Sequence, residues 1–549
     1  MRSVTRRPLV GSLREAALGL FVLLLLGGGG PAVAGTLIGH VVDAVTGAPV
    51  ASRVYLEDDD GRHYFVQATG SAGSAVRYDV RRGTSLEVHT TLGAHAFTVD
   101  LPEGGYRLTI ERGKEYRPLE RKVVIGTNEK IELTFRLQRW IDMAARGWYS
   151  GDTHVHRSLE ELPNLVLAED LNVALPLSYW VTELEETPLR NSRTPSGPRP
   201  QPELVIVDER HVIWPVNTEY EIFTVNRKQH TLGAVFLLNH SEPVDLSAHP
   251  LREVAAEARR QGAILDLDKH NWPWSMVLLP VMNVDLFELT NNHLWRTEFL
   301  YSDWYPEYLP PFFDQAGNQD RYGEATWIEW GFANYYALLN CGFDLMPSGG
   351  TASGVHPVPL GFGRVYVYLG ESFDFDNWMS GLAAGRSFVT TGPMLEVRCQ
   401  GQLPGTRFLA DERVPLTLRV EGTAMWRGPL DRVEILLNGS IVETILPAAT
   451  SHLNELVDFG TSVAVDESSW LAVRCYGKAG NGRPRFAHSA PFQITVPGRP
   501  LRPKRDEVSY LVSRVEAELR RHEGVLSPTA LSDYRDALRF YRSKLEEAR

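Results

Sequence analysis

The sequence predicts a multidomain protein in which a β-sandwich, an α/β core, a second β-sandwich and a helical hairpin follow one another. A chain of 549 residues is too long for one hydrophobic core. Short runs with an apolar residue at every second position fill two separate regions, and helix-like and strand-like segments alternate between them. We therefore expect domains over residues 35–138, 139–395, 396–497 and 498–549.

Residues 1–34 have the features of a secretory signal peptide. A basic start is followed by an apolar run from Leu18 to Leu26 and by small residues ending at Ala34. The run is short for a membrane span, and an uncleaved anchor is the alternative. The sequence TRRPLV is similar to a twin-arginine signal. This segment predicts export to the periplasm or the extracellular space.

Composition excludes several classes of function. The formal net charge is −12, and removal of residues 1–34, which carry +3, leaves −15. Such an acidic chain is not expected to bind nucleic acid, and no later apolar run is long enough to cross a membrane. Three cysteines are too few for a disulfide scaffold or a cysteine-rich zinc site. Cys399 and Cys475 could form a disulfide or remain two buried thiols, and Cys341 is expected to be buried.

The two predicted sandwiches consist of alternating strands and turns. Residues 36–137 contain runs such as FTVDLPEGGYRLTIERG and RKVVIGTNEKIELTFRL, separated by Gly, Pro, Asp and Asn. Residues 396–496 contain VPLTLRV and RVEILLNGSIVETI, with Asn-Gly turns at Asn438 and Asn481. Both patterns are typical of antiparallel sheets.

The central region mixes helices with strands. ELPNLVLAEDLNVALPL and LREVAAEARRQGAILDLD each indicate a helix followed by a strand, and ATWIEWGFANYYALLNCGF indicates a helix. This alternation favours a largely parallel sheet or barrel, whose active site would lie at strand ends. The Pro-rich residues 191–202 are expected to form an exposed loop.

The last segment is predicted to be a helical hairpin that packs on the body. One apolar stripe contains Val508, Val512, Val515 and Leu519. The other contains Leu531, Tyr534, Leu538, Tyr541 and Leu545. A short dimerisation coil is the alternative, and the oligomeric state is left open.

The segment GWYSGDTHVHRS places chemistry at the start of the core. In a strand, Asp152, His154 and His156 would share one face. Two imidazoles in this arrangement can bind one divalent ion, and a nearby carboxylate can orient a ring. A pair of surface histidines is the alternative for an isolated motif of this kind.

This segment resembles the opening of PHP-superfamily metallohydrolases of the CehA/McbA-like branch. YYALLNCGFDLMPSGGTASGVHPVPLGFGRVYVYL and GLAAGRSFVTTGPMLEV suggest the same branch, so the resemblance covers residues 147 to about 405. GHVVDAVTGAPV with LPEGGYRLTI resembles the carboxypeptidase regulatory-like domain. The first resemblance implies a distorted β/α barrel with one or two divalent ions, Zn, Mn or Fe, that hydrolyses phosphoesters, carbamates or similar bonds.

The resemblance also implies a set of site residues. His154 and His156 match the first metal motif, Glu219 takes the place of a carboxylate ligand with Glu221 as its competitor, and His270 and His293 follow as strand-end ligands. Two catalytic roles are expected beside them. Asp152 would orient a ring or bridge to a second ion, and Lys269 would stabilise negative charge or hold an anionic substrate group.

Two departures from the family pattern leave a second hypothesis open. Ser178, Tyr179 and Trp180 replace a Thr-Asp-His, and Thr351–Ser353 replace an Asp-x-His, with His356 displaced. The leading hypothesis is an exported hydrolase of a small-molecule or saccharide-like substrate. The alternative is a catalytically degenerate module that binds carbohydrate or envelope partners. Dense aromatic residues after these motifs could line a cleft or close a core.

Overall fold

The computed structural model describes residues 34–70, 74–190, 199–301, 309–313, 323–410, 415–447 and 456–549. The predicted signal peptide and most of the loop 191–202 lie outside the described residues, so export remains a prediction. Within the described ranges, no helix has the length and apolar character needed to span a membrane.

Residues 35–137 form two sheets around one apolar core. The first has the strand order β3-β6-β1-β9 and the second β4-β5-β2-β7-β8. The strands are β1 (Gly35–Asp43), β2 (Ser52–Asp58), β3 (Gln67–Ala68), β4 (Ala75–Arg82), β5 (Ser85–Leu92), β6 (Phe97–Leu101), β7 (Gly104–Glu111), β8 (Leu119–Ile125) and β9 (Lys130–Leu137). Alternate residues of β1 are buried, as expected for a strand of a sandwich.

The described part of residues 139–549 contains seven α-helices and two long sheets. The helices are α1 (Leu162–Glu169), α2 (Leu251–Arg260), α3 (Ser275–Met282), α4 (Glu324–Asn340), α5 (Phe375–Ala383), α6 (Arg505–His522) and α7 (Pro528–Glu547). The strands up to residue 390 are β10 (Trp148–Val155), β11 (Val173–Pro176), β12 (Tyr179–Glu183), β13 (Val205–Ile206), β14 (Val212–Ile213), β15 (Thr218–Val225), β16 (Lys228–Leu238), β17 (Ile264–Leu267), β18 (Leu286–Thr290), β19 (Met346–Gly349), β20 (Arg364–Tyr368) and β21 (Ser387–Thr390). The remaining strands are β22 (Met394–Cys399), β23 (Arg407–Leu409), β24 (Leu416–Met425), β25 (Leu430–Leu437), β26 (Ser440–Ile445), β27 (Leu456–Val465), β28 (Ser469–Lys478), β29 (Pro484–Ser489) and β30 (Phe492–Thr495).

The core consists of two mixed sheets. One has the order β12-β15-β16-β17-β18-β19, and β10, β11, β13, β14, β20 and β21 belong to the other. The two sheets meet where the amide N–H groups of Ala352 and His156 donate to the carbonyls of His154 and Ser353, respectively. The ends of β10 and β19 therefore face one another. The distorted barrel that the resemblance implied remains a proposal.

The prediction of a largely parallel core was only partly right. β12–β15, β17–β18 and β18–β19 pair in parallel, but β16 runs antiparallel to both β15 and β17. A tight turn at Asn226 and Arg227, both with positive φ, joins β15 directly to β16. Such a turn usually contains glycine, so this hairpin had no clear signal in the sequence.

One sheet crosses the predicted boundary between residues 395 and 396. β21 of the core pairs with β29, and the sheet continues through β28, β25 and β26. β22, β24 and β27 form a three-stranded sheet that packs on this second half. The core and the C-terminal sandwich therefore share a backbone hydrogen-bonded sheet. Asn438 and Gly439, both with positive φ, form the predicted turn between β25 and β26.

The tail is the predicted hairpin, and it packs on the body. α6 and α7 pack against each other, and Val508, Leu511, Val515, Tyr534 and Tyr541 are buried in the main core cluster.

All three cysteines are buried and free, namely Cys341, Cys399 and Cys475. Of the two alternatives for Cys399 and Cys475, the structure shows the pair of buried thiols.

Leu511→Ala tests whether the tail is part of the folded body. Leu511 is fully buried in the main core cluster, so its truncation should lower the free energy of unfolding by about 2–5 kcal/mol. Chemical denaturation followed by circular dichroism measures this change. The exposed Arg520 offers a matched control on the same helix, and Arg520→Ala should stay within about 0.5 kcal/mol of the parent. Equal stability of both variants would contradict the packing.

Candidate metal centre

Two imidazoles and a carboxylate converge at the end of β10. His154 is fully buried on this strand, and His156 follows directly after its last residue, Val155. The two Nε2 atoms lie 3.3 Å apart. His156 Nε2 is 3.2 Å from Glu219 Oε2, and His154 Nε2 is 3.8 Å from Glu219 Oε1. Burial holds the pKa of His154 well below its usual range, so this ring is neutral and can offer a lone pair.

The second nitrogen of His154 faces two more buried carboxylates. Nδ1 lies 3.1 Å from Glu288 Oε1 and 3.8 Å from Asp268 Oδ1. Glu288 belongs to β18, and Asp268 follows the end of β17. A carboxylate that accepts from Nδ1 fixes the tautomer in which Nε2 is unprotonated and faces His156. In that tautomer, the contact with Glu288 would orient His154 as a ligand.

A third group of oxygen ligands surrounds the ammonium of Lys269. Glu219, Glu221 and Asp268 bring carboxylate oxygens close to one another. Lys269 Nζ forms an ion pair with Asp268 and lies 3.7 Å from Glu221 Oε1. Trp180 Nε1 donates to Glu221 Oε2 at 3.0 Å. Lys269 therefore supplies the positive charge among these carboxylates. It is almost fully buried, with an exposed fraction of 2%.

Crowding of carboxylates shifts their protonation. Burial raises the pKa of Glu221 to about 8, and the charges of Glu219 and Asp268 act in the same direction against the opposing effect of Lys269. Burial and the charge of Asp268 also raise the pKa of Glu288 well above its usual range. Burial alone would lower the pKa of Lys269, but the surrounding carboxylates outweigh it and the net shift is upward. A bound cation would relieve this repulsion.

The donor set fits a divalent metal ion. Two ligands at the usual distances from a tetrahedral zinc ion lie roughly 3.3 Å apart, which matches the spacings of His156 Nε2 to His154 Nε2 and to Glu219 Oε2. Asp268 Oδ1 and Glu288 Oε2 are buried and find no hydrogen-bond partner among the described residues. Buried oxygens of this kind are costly unless a charge compensates them. Mixed nitrogen and oxygen ligands suit Zn, Mn or Fe equally.

His270 and His293 lie outside the three groups of potential ligands found among the described residues. The ring of His270 packs between Trp327 and Trp330, with centroid distances of 4.5 and 4.8 Å. The ring of His293 stacks on Tyr301 at 3.7 Å. Burial lowers the pKa of His270 to about 3 and holds the pKa of His293 well below its usual range. The structure therefore places both in an aromatic pocket beside the centre.

Asp152 links the backbone at His154 to the neighbouring loops. Its carboxylate accepts hydrogen bonds from Thr351 Oγ1 at 2.6 Å, from Gly361 N at 2.8 Å and from His154 N at 3.1 Å. These contacts hold the backbone of β10 against the loop that follows β19. They favour a positioning role, while the catalytic role predicted for Asp152 remains a prediction. The same loop packs tightly on His154 at Gly350, where an added Cβ would lie 2.2 Å from His154 Cβ.

The N-terminal sandwich reaches one side of the centre. Tyr78 of β4 donates to the carbonyl of His356 at 2.6 Å and accepts from Gly354 N at 2.9 Å. Arg82 of the same strand lies 2.9 Å from His356 Nδ1, and the His356 ring is 6.1 Å from that of His293. The loop with the displaced histidine is therefore held by a different domain.

Sequence reasoning missed Asp268 and Glu288 as potential ligands. Glu288 carried a signal, because it is the only charged residue of the apolar strand LFELT, all of which is buried. β17 ends at Leu267, and the next two residues, Asp268 and Lys269, both reach the centre. His270 lies outside the groups of potential ligands found among the described residues.

Comparisons with known proteins leave the family open. No family model matches the chain, and no curated protein matches it. A two-domain protein from Bacteroides vulgatus ATCC 8482, described as containing a predicted PHP-like metal-dependent phosphoesterase, is 10% identical over 60% of this chain and 90% of that chain, with a TM-score of 0.27. A β-glucuronidase from Parabacteroides merdae is 9% identical over 82% of this chain and 60% of that chain, with a TM-score of 0.16. Both TM-scores are low, and neither likeness assigns a function to this chain.

Proposed function

We propose that the protein is a metal-dependent hydrolase. The observation that carries the proposal is the set of three donors from His154, His156 and Glu219, which lie at the spacing of ligands to one ion. His154 and Glu219 are buried, and His156 is half-buried. A divalent ion held there would lower the pKa of a water molecule and polarise the bond to be cleaved. The resemblance of GWYSGDTHVHRS to the first metal motif of PHP proteins supports the same proposal.

The residues around these donors have separate tasks in this proposal. Glu288 holds the Nδ1 proton of His154, so that Nε2 keeps its lone pair for the ion. Asp152 fixes the backbone of His154 relative to the loop after β19. Trp180 packs on the ring of His156 at 4.7 Å and limits the access of water from that side.

The position of Lys269 favours one bound ion over two. Its ammonium lies among Asp268 and Glu221, where a second divalent ion would otherwise find oxygen ligands. We therefore infer a centre with one ion, in which Lys269 supplies the second positive charge and can stabilise negative charge on the substrate.

The substrate class comes from the motif resemblance and not from the geometry. Phosphoesters, carbamates and related bonds are the substrates that it implies, carried by a small or saccharide-like molecule. Tryptophans line the centre, with Trp180 beside His156 and Trp272 at 4.5 Å from Lys269 Nζ, and such walls suit a sugar or an aryl group. Export through the N-terminal segment is part of the same proposal.

Metal content tests the proposal directly. Protein purified under anaerobic conditions should contain about one ion per chain by elemental analysis, and His154→Ala combined with His156→Ala should remove it because two of three donors are lost. Hydrolysis of phosphoester, carbamate and amide substrates should disappear with the ion. His488→Gln is the control, since it also alters a fully buried imidazole but lies on β29. Wild-type protein without metal would favour the degenerate binding module.

A second pair of variants tests whether Glu219 or His293 is a ligand of the metal ion. Glu219→Gln removes a donor that touches His156 and should weaken metal affinity by roughly 10-fold or more. His293→Gln, in the aromatic pocket, should leave affinity within about twofold of the parent. Competition with a chromogenic chelator gives both values. A larger loss of metal affinity in His293→Gln than in Glu219→Gln would show that His293, and not Glu219, binds the ion.

Lys269→Met tests the single-ion centre. Removal of the ammonium leaves Asp268 and Glu221 without a cation, so the metal content should rise from about one to about two ions per chain. Lys269→Arg keeps the charge and should keep one ion. An unchanged content in the Met variant would refute the role of Lys269 as the second cation.

A further inference from the structure

A large cavity lies where the N-terminal sandwich, the core and the C-terminal sandwich meet. Its volume is about 920 Å³, within the roughly 300–1,000 Å³ range of small-molecule sites. Pro118, Glu120 and Lys478 on its rim are exposed, so the cavity opens to solvent. Residues of all three regions line it, and none of them belongs to the groups of potential metal ligands.

The lining is strongly basic in an otherwise acidic protein. Eight of the lining side chains are Lys or Arg and three are Glu, an excess of five positive charges. The whole chain carries a formal net charge of −12. A concave site of one sign with low-dielectric walls concentrates ions of the opposite sign. The cavity therefore attracts anions, whereas the rest of the chain repels them.

The buried glutamates of the lining are already in use. Arg53 forms ion pairs with Glu169 and, at 2.6 Å, with Glu111. Arg296 pairs with Glu87 at 2.9 Å and lies 3.7 Å from Glu111. These pairs balance the charges of Arg53 and Arg296, and Lys478 on the rim lies 3.7 Å from Asp431 Oδ2.

Two further cations are held by neutral partners. Lys114 Nζ donates to the carbonyl of Thr391 at 2.9 Å, and Arg427 Nη1 donates to the carbonyl of Tyr116 at 3.1 Å. A carbonyl orients a cation but does not neutralise its charge. The side chain of Arg364, 1% exposed, is likewise held by backbone carbonyls, including that of Gly361 at 2.6 Å. The hydrogen bonds therefore fix these three groups in place.

Arg485 completes this group at the wall of the cavity. It is 4% exposed, and the nearest carboxylate, Glu324, is 3.5 Å away and already pairs with Arg483 at 2.7 Å. Burial and the neighbouring guanidinium groups lower the pKa of Arg485 to about 10. Burial, together with the charges of Arg364 and Arg485, holds the pKa of Lys114 well below its usual range. A bound anion would relieve this mutual repulsion.

An aromatic ring lies between two of these cations. The Phe362 ring is 4.7 Å from Lys114 Nζ and 5.1 Å from Arg485 Cζ. Trp426 also lines the cavity, and Arg427 Cζ lies 5.5 Å from its ring. The cavity thus combines positive charge with apolar surface, as a ligand with a charged group on an organic body requires.

We propose that this cavity is a binding site for a small organic polyanion, whose phosphate, sulfate or carboxylate groups are held by Lys114, Arg427 and Arg485. Phe362 and Trp426 pack against its organic part. Guanidinium groups suit such oxyanions because they donate two parallel hydrogen bonds. The site is separate from the metal centre. The two are neighbours through Gly361, which lines the cavity and donates its N–H to Asp152.

Calorimetric titration of the full chain tests the proposal. Tripolyphosphate is the first probe, and sulfate and citrate are separate arms that identify the preferred oxyanion. Protein freed of metal on a chelating resin, and the His154→Ala plus His156→Ala variant, should both bind one equivalent, so the outcome is independent of the metal centre. The affinity should fall with added salt. Lys114→Gln and Arg427→Gln should each weaken binding by roughly 10-fold or more.

Arg520→Gln, which removes the same charge from the exposed surface of α6, should leave the affinity unchanged. Arg427 is half-buried with one hydrogen bond to a carbonyl, so its variant should fold even if that of Lys114 does not. Absence of saturable binding to all three probes would overturn the proposal. Binding that Arg427→Gln and Lys114→Gln leave unaffected would overturn it as well.

Discussion

The burial of charge around His154 is the constraint on which the rest of this structure depends. Glu219, Glu221, Asp268 and Glu288 come together beside two imidazoles, and the ammonium of Lys269 balances only part of their charge. Buried carboxylates are stable only when they are paired, hydrogen-bonded, protonated or bound to a cation. Burial raises the pKa values of Glu221 and Glu288, and the neighbouring carboxylates add to this shift. In the proposed function, a metal ion at His154, His156 and Glu219 would complete the balance.

The fold serves this constraint by bringing strand ends together. His154 comes from β10, Glu219 from β15 and Glu288 from β18, while Asp268 and Lys269 follow β17 directly. The two sheets meet at this point through backbone hydrogen bonds between the end of β10 and the loop after β19. The accessory parts contribute as well. Tyr78 of the N-terminal sandwich fixes the His356 loop, and the C-terminal sandwich continues a sheet of the core.

Much of this arrangement could be predicted from local patterns. α1, α2 and α4 correspond to segments that the sequence predicts as helices, and the HxH motif contains two of the potential metal ligands. Two other features could not be predicted in the same way. The β15–β16 hairpin turns at Asn226–Arg227 instead of a glycine. The end of β17 at Leu267, which decides that Lys269 and not His270 reaches the centre, depends on tertiary packing.

The central claim is that His154, His156 and Glu219 hold one divalent ion. Anomalous X-ray diffraction from crystals of the protein, measured at the absorption edge of the ion found in it, tests this claim most directly. The account predicts one strong peak within bonding distance of His154 Nε2, His156 Nε2 and a carboxylate oxygen of Glu219. A peak between His270 and His293, or fully loaded crystals without any peak near His154, would contradict it.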